Sequence, residues 1–550
     1  MRFGTLDTFF GMSAPDLRLG RNVANHEFLK ALLTYGTFDA YHFFLPDVAH
    51  VEVFQRRLQA LLPQPHLQKR VQTTLQLALR ETVQELDFTV FHQSDFTRAL
   101  PYLAPFRDRH ARRPFPVTGV THSLNTSLMP LRYLQLGLAP LRPYDAIVCT
   151  SEAGREVVRR SFEQLSTRLQ AQFGLALKLE AELAHIPLGI DDSRFVREDK
   201  QKARGALGLP REGAFLLYLG RLSARSKLDL HPMLYALSRA WKKGQLGSLK
   251  LVLAGGAEEQ ELAQLKRLVQ ELQITQRVHF QVDFDDARKM QLFSACDLFV
   301  SPSDNLQETF GLSVVEAMAA GCVPLVSEFD GYRELVLHQQ TGVQLPTFWG
   351  KPLDSLEDLE GLNPALHPFY LAQTFGVDLE ALVASLEQLL RQPAERERLS
   401  HAARAHAEQY RWSRLIPRYE ALWKCLSERA LQAPSRGSAV PLSPLNMDSY
   451  EIFGHYPSLK LEPWVRVELT EAGREILAGA PLPTPHRDIA PLLHTQLLMP
   501  VLQHLAAGAQ PMRALEQWGE HLEAPPDLLR HHVLWAAKYG LVRLKPSQPT

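Results

Sequence analysis

The sequence predicts an α/β protein in which two doubly wound, Rossmann-like parallel-sheet domains face a cleft and a small α+β domain follows them. Three observations lead there. The chain has 550 residues, too many for one core when single domains hold about 100 to 200. Short apolar runs alternate with longer helical patterns from the start to about Trp423, as they do in parallel sheets flanked by helices. A stretch at 433–444 rich in Pro and Ser then favours an extended linker, with about a hundred residues beyond it.

In chain order, strands are expected at 40–45, 89–91, 116–120, 146–149 and 183–187, and in a second series at 215–219, 249–253, 278–280, 298–300 and 323–327. The first strand and its glycine loop are abbreviated to Phe9-Phe10-Gly11-Met12-Ser13. The domains are therefore expected at 1–200 and 201–430, the linker at 431–446 and the last domain at 447–550. Residues 52–86 form a helical region carrying Arg56, Arg57, Lys69 and Arg70, a solvated face more often than a membrane-binding one. The aromatic pattern around Trp412 and Trp423 suits a helix that crosses back onto the first domain.

Composition excludes several classes. Sixty Lys+Arg balance sixty Asp+Glu, so no global field attracts a polyanion and a nucleic-acid partner is not expected. Four scattered cysteines give no Cys-x-x-Cys pair, hence no zinc knuckle or disulfide framework; Cys149, Cys296 and Cys322 read as core thiols of a reducing cytosol. With neither a secretory signal nor a run of roughly 20 apolar residues, the expected location is cytoplasmic, at most peripheral to a membrane.

Chemistry concentrates at residues 299–321. A buried strand runs into a polar loop, and a small-residue helix then opens near Leu312 or Ser313 and closes at Gly321. Free N–H groups from Thr309, Phe310, Gly311, Leu312 and Ser313 at the positive end of that helix form an anion site, and Gly311 lets a ligand approach the backbone. Glu308 and Glu316 could accept hydrogen bonds from two parts of one polyhydroxylated ligand; as a lone pair, they would more simply cap the helix and offset its dipole.

The surrounding residues, Pro302, Ser303, Glu308-Thr309-Phe310-Gly311-Leu312, Glu316-Ala317-Met318-Ala319, Gly321 and Pro324, resemble the signature of the retaining glycosyltransferases of family 4. Similar pieces occur at 219–227, 187–191 with Phe195, Thr121-His122-Ser123, and 330–336 with Thr341-Gly342-Val343. The resemblance covers about residues 1–428. It implies the GT-B fold, with residues 1–200 as the acceptor domain and 201–430 as the donor domain, a nucleotide-activated sugar as donor and retention of anomeric configuration.

On that basis Arg221 and Lys227, with Arg225 as a rival for Lys227, would stabilise the departing diphosphate together with the helix N–H groups. No metal or other cofactor is then expected, and Asp283-Phe284-Asp285-Asp286 reads as a loop with solvated carboxylates. Glu308 would hold a donor-sugar hydroxyl and Glu316 the ribose. His122 would reach the anomeric region or the primary hydroxyl, with a structural histidine an equal reading. Gly255 permits close approach to the nucleoside or forms a plain tight turn. Gly11 would contact phosphate.

Beyond the linker, an alternating strand at 465–470, a helix at 471–477, helices at 514–522 and 527–539 and a short strand at 540–542 resemble a winged helix. From residue 431 onward ten Lys+Arg face eleven Asp+Glu, which does not suit DNA. Trp518, Leu522, Leu529, Val533 and Trp535 suit a core, so this domain is expected to contact protein or peptide or to mediate self-association. The whole reads as a glycosyltransferase acting on a saccharide, lipid-linked or peptide acceptor. A phosphorylase or epimerase on the same cleft, or a sugar-nucleotide-binding regulator whose tail contacts protein or DNA, are the competing readings.

Overall fold

The computed structural model describes residues 1–10, 20–363, 366–434 and 444–546. They divide into two compact units, one of residues 1–46 and 51–443 and the other of 47–50 and 444–550.

The larger unit holds two parallel sheets. The first comprises β1 (Arg2–Thr5), β2 (Ala40–Leu45), β3 (Val71–Leu75), β4 (Val90–Gln93), β5 (Val117–Val120), β6 (Ala146–Cys149) and β7 (Glu182–His185), in the order β3-β2-β1-β4-β5-β6-β7. The second comprises β8 (Phe215–Leu219), β9 (Lys250–Ala254), β10 (Val278–Gln281), β11 (Leu298–Ser301), β12 (Val323–Ser327) and β13 (Val343–Leu345), in the order β10-β9-β8-β11-β12-β13. Strands such as Leu298-Phe299-Val300 are fully buried because helices cover both faces, hence their continuous apolar runs. Strand order reverses between β1 and β4 and between β8 and β11, and ligands of doubly wound sheets bind beyond the carboxyl ends of the strands at such points.

Three strands of these two sheets escape the sequence pattern. β1 lies at Arg2–Thr5, not at Phe9 and Phe10, which are buried in the loop that follows it. It contains Gly4 because the Phe91 ring occupies the space of a side chain there, 2.5 Å from where a Cβ would be. β3 falls inside the stretch expected to be helical; as the sheet's outer strand it is only partly buried, and Gln72, Thr73 and Thr74 blur the apolar alternation. β13 has only three residues. Of the four cations expected on a helix face, Arg70 is turned to structural use: it donates to Gly36 O and Tyr41 Oη, both at 2.7 Å, while Arg56, Arg57 and Lys69 are exposed.

The chain crosses between the two layers twice. Ile190, Phe195, Ala203 and Leu207 pack into the core of the second sheet. Helix Trp412–Gln432 returns to the first core, where Trp412, Ile416, Tyr419 and Trp423 meet Phe3 and Phe28. Residues 431 and 432, expected in the linker, still belong to this helix, and 435–443 lie outside the described residues. Between β13 and helix Leu379–Arg391 an excursion forms a hairpin-like pair, β14 (Thr347–Trp349) and β15 (Phe375–Val377). The three core thiols are buried as expected, and burial pushes those of Cys149 and Cys322 up to about 12. No described helix is long and apolar enough to cross a membrane.

The smaller unit is α+β. Its antiparallel strands β16 (Arg466–Leu469), β17 (Gln510–Pro511) and β18 (Val542–Lys545) pair in the order β17-β16-β18. Helices Thr495–Ala506, Met512–Gly519 and Pro526–Lys538 supply Val501, Leu502, Leu515, Leu529 and Val533 to its core. Helix Thr495–Ala506 was not expected from the sequence, which carries Pro500 within it. The central strand β16 comes first and helix Glu471–Leu477 follows it, as expected, while helix Thr495–Ala506 and β17 are additions to the expected order. Leu522, expected in the core, is 39% exposed.

Candidate active site at the mouth of the second sheet

Two loops leave the switch point of the second sheet side by side, one after β8 and one after β11. The first carries Arg221 and Lys227, the second Glu308. The Lys227 ammonium donates to Glu308 Oε2, and the Tyr332 hydroxyl donates to the same oxygen at 3.1 Å. Tyr332 also lies 2.9 Å from Ser301 Oγ at the end of β11. Burial works to raise the Glu308 carboxyl, but the Lys227 charge and hydrogen bond outweigh it, so the group titrates below its ordinary range. Arg221 donates to Ser226 O at 2.8 Å; burial lowers its pKa, and it stays charged. Arg225 is exposed, so of the two rivals it is Lys227 that meets Glu308.

Helix Leu312–Ala319 begins beside this cluster. Gly311 caps it at φ 107° and ψ 56°, a left-handed conformation that L side chains rarely adopt, and a Cβ there would sit 2.3 Å from the Tyr332 ring. The earliest intrahelical bonds run from Val314 and Val315 to Gly311 O, so Leu312 and Ser313 precede the helical ladder. Thr309 O accepts from Ser151 Oγ of the first domain at 2.7 Å, and Phe310 is buried. Gly321 ends the element at φ 78°.

Glu316 is 1% exposed and lies on a different network. Lys289 donates to its Oε1 at 2.5 Å, and Arg194 Nε stands 3.4 Å from the same oxygen. Arg194 also donates to Glu27 Oε1 at 3.1 Å, from helix Gly20–Tyr35 of the first domain. Burial and the Glu316 charge push the Glu27 carboxyl up to about 7. Burial likewise takes Asp304 up to about 7, and burial with the Glu308 charge raises Asp330 well above the carboxylate range.

The remaining candidates are more dispersed. His122 follows β5 and hydrogen-bonds through Nε2–H to Ser94 O at 2.7 Å; burial lowers it to about 4, so it is neutral at pH 7. Gly255, at φ 150°, makes its close approach to protein: a Cβ would sit 1.8 Å from Gly220 O, which is how β8 and β9 end side by side. Asp283, Asp285 and Asp286 are exposed, and Asp285 caps helix Asp286–Ala295 by accepting from Arg288 N. Gly11 lies outside the described residues. Sequence reasoning missed Tyr332, Lys289, Arg194 and Glu27; Tyr332 alone sat in a quoted motif, at 330–336.

Two facing Rossmann-like domains with a charged cluster at the switch point define the GT-B architecture. The described structure aligns with Anabaena Alr3699/HepE in complex with UDP at a TM-score of 0.50 and 18% identity, covering 76% of this chain and 98% of that one. It aligns with sucrose-phosphate synthase from Thermosynechococcus elongatus at 0.51 and 18%, covering 78% and 99%. Residues 199–352 match the family described as glycosyl transferases group 1. Over 278 residues the chain is 30% identical to D-inositol 3-phosphate glycosyltransferase of Mycobacterium leprae (strain Br4923), 50% of this chain and 55% of the relative. Over 251 residues it is 26% identical to phosphatidyl-myo-inositol mannosyltransferase of Mycolicibacterium smegmatis, 46% and 55%. The chain thus spans about half the length of the curated relatives it matches.

Proposed function

We propose that the protein is a glycosyltransferase that moves a sugar from a nucleoside-diphosphate donor to an acceptor with retention of configuration, without a metal. The observation that carries this reading is the Lys227, Glu308 and Tyr332 cluster beside Arg221 and the opening of helix Leu312–Ala319, at the switch point of the second sheet. Support for the donor class comes from the group 1 match over residues 199–352, and the Anabaena protein of like fold holds UDP.

In this reading the donor diphosphate lies between Arg221, Lys227 and the N–H groups of residues 309–313. Two fixed cations and a helix amino end stabilise charge where it develops on the leaving phosphate, the task a metal would otherwise serve. Glu308, ionised by its neighbours, accepts from a donor-sugar hydroxyl and holds C1 in place. Glu316 accepts from the ribose. Neutral His122, with Nε2–H occupied by Ser94 O, offers Nδ1 as an acceptor to the sugar. The bond from C1 to the diphosphate oxygen breaks, the acceptor oxygen bonds C1 on the same face, and the leaving phosphate oxygen takes the acceptor proton. The smaller unit serves protein contact, presentation of the acceptor or self-association.

A panel of UDP-, GDP- and ADP-sugars, read by thermal stabilisation and slow hydrolysis, tests the assignment. Binding of one base with turnover that Glu308→Ala abolishes is expected. Absence of binding by every sugar nucleotide would end it, as would full turnover in Arg221→Ala. The regulator reading requires donor binding without turnover, and the complete cation and carboxylate set speaks against it.

A further inference from the structure

We infer that Ser151 and Glu334 are positioning residues for Glu308: through one peptide unit, Thr309–Phe310, a hydroxyl of the first domain sets a hydrogen bond to the carboxylate of the second. The role of Glu308 rests on the transferase reading above, whereas the relay rests on contacts alone. Ser151 Oγ donates to Thr309 O at 2.7 Å, and on the other side of that peptide the Phe310 N–H donates to Glu308 Oε1 at 3.5 Å. A trans peptide is planar, with its carbonyl and N–H pointing oppositely, so holding the carbonyl fixes where the N–H points. The bond to Glu308 is long and weakens steeply with tilt, so the Glu308 end depends on the Ser151 end.

The buried Ser151 hydroxyl is itself held in place. It follows β6 and caps helix Glu152–Phe173 by accepting from Gly154 N at 2.9 Å, which leaves its proton for Thr309. Glu334, from the second domain, takes the two preceding N–H groups of the same helix end: its Oε1 accepts from Glu152 N at 2.6 Å and from Ala153 N at 3.2 Å. The helix dipole favours a carboxylate there. His185, at the end of β7, stands 3.0 Å from Glu152 Oε1 and 3.4 Å from Glu334 Oε2. Glu334 belongs to the short helix Tyr332–Leu335, whose Tyr332 hydroxyl donates to Glu308 Oε2, so the first-domain helix end is tied to the same carboxylate by a second route. Gly331 keeps the two segments in contact, since a Cβ there would sit 2.7 Å from Phe310 Cα and 3.0 Å from Thr309 O.

The test compares the full chain with its Ser151→Ala, Ser151→Thr, Glu334→Ala and Glu334→Gln variants. Hydrogen–deuterium exchange over residues 305–314, without ligand, reads the relay itself, and hydrolysis of UDP-glucose, GDP-mannose and ADP-glucose reads its effect on Glu308. Exchange there should quicken in both alanine variants. On whichever donor is hydrolysed, kcat should fall about tenfold, the worth of one hydrogen bond, with the donor KM within about twofold. Threonine keeps the hydroxyl and the cap, and glutamine keeps an oxygen for the two N–H groups, so each should restore most of the loss. Unchanged exchange or wild-type kcat in Ser151→Ala, a raised KM with kcat unmoved, or a loss in Ser151→Thr equal to that in Ser151→Ala would each overturn the assignment. Quickened exchange in the alanine variants of a protein whose wild type neither binds nor hydrolyses any of the three sugar nucleotides would instead uphold the relay and sink the transferase reading.

Discussion

Replacing Lys227 by alanine removes one cation from the leaving-group site and strips Glu308 of its partner, and the two consequences can be read separately. A preorganised charged donor at the position of developing negative charge is worth about 10²- to 10³-fold in kcat, the range found when a single oxyanion donor is deleted. Lys227 has Arg221 and the helix amino end beside it, so the loss should fall in that range and not be complete. The second consequence follows from the balance at Glu308. Burial raises this carboxyl, and Lys227 is the chief opposing influence. Without the ammonium the pKa must rise, so the carboxylate is lost at a higher pH than before. The acid limb of kcat/KM against pH therefore moves toward neutrality in Lys227→Ala, and Lys227→Arg moves it back. Stability obeys the same sign: a depressed carboxyl stabilises the fold above its unfolded pKa, and the contribution disappears as pH falls through the folded value. The assay is single-turnover transfer from the donor that binds, at pH 4.5 to 8. Wild-type kcat in Lys227→Ala, or a tenfold loss with an unmoved acid limb, would refute the reasoning.

The other expectations are narrower. Tyr332→Phe removes one hydrogen bond to Glu308 Oε2 while keeping the ring beside Gly311, so kcat/KM should drop by about tenfold, near 1.4 kcal/mol, with little change in melting temperature. Gly311→Ala must leave the left-handed region or displace the Tyr332 ring, a strain of about 1 to 3 kcal/mol that should appear as a lower melting temperature and weaker donor binding. Glu27, raised to about 7, stabilises the fold fully below its unfolded value and loses that contribution as pH rises through about 7; Glu27→Gln should flatten the melting-temperature profile between about pH 4.5 and 7.

What the sequence made legible was whatever lies contiguously along it. Ten strands of the two parallel sheets were visible because each contains a short apolar run, even in the outer and only partly buried β7 and β10, and β3 was not, because Gln72, Thr73 and Thr74 interrupt its apolar run. Glu308, Gly311, Arg221 and Lys227 were readable because each sits in a loop that leaves a buried strand within a few residues. The sequence left Arg225 and Lys227 as rivals, and only the path of the loop brings Lys227 to Glu308. Tyr332 reaches Glu308 from 24 residues away and Lys289 reaches Glu316 from 27, spacings that carry no periodicity. Tyr332 was marked locally only by its place in the 330–336 motif; its ring fills the space where a side chain at Gly311 would be, a contact that only the fold reveals.

The Glu316 network gives the two facing domains a shared electrostatic element. One guanidinium, Arg194, stands between a carboxylate of each domain, Glu27 at 3.1 Å and Glu316 at 3.4 Å, while Lys289 pairs directly with Glu316 and acts on Glu27 only through its charge. The cations therefore satisfy Glu316 first, and Glu27 is left near half-protonation at neutral pH. Lys289 and Arg194 both address Oε1 of Glu316. A ribose hydroxyl donating to its other oxygen would draw charge from Arg194 and leave Glu27 better compensated, which lowers the Glu27 pKa. Donor binding should then release protons at pH 7, and by reciprocity the state of Glu27 in the first domain biases donor affinity in the second. Calorimetric donor titrations in buffers of different ionisation enthalpy measure that release directly, and Glu27→Gln should abolish it while Tyr332→Phe leaves it intact.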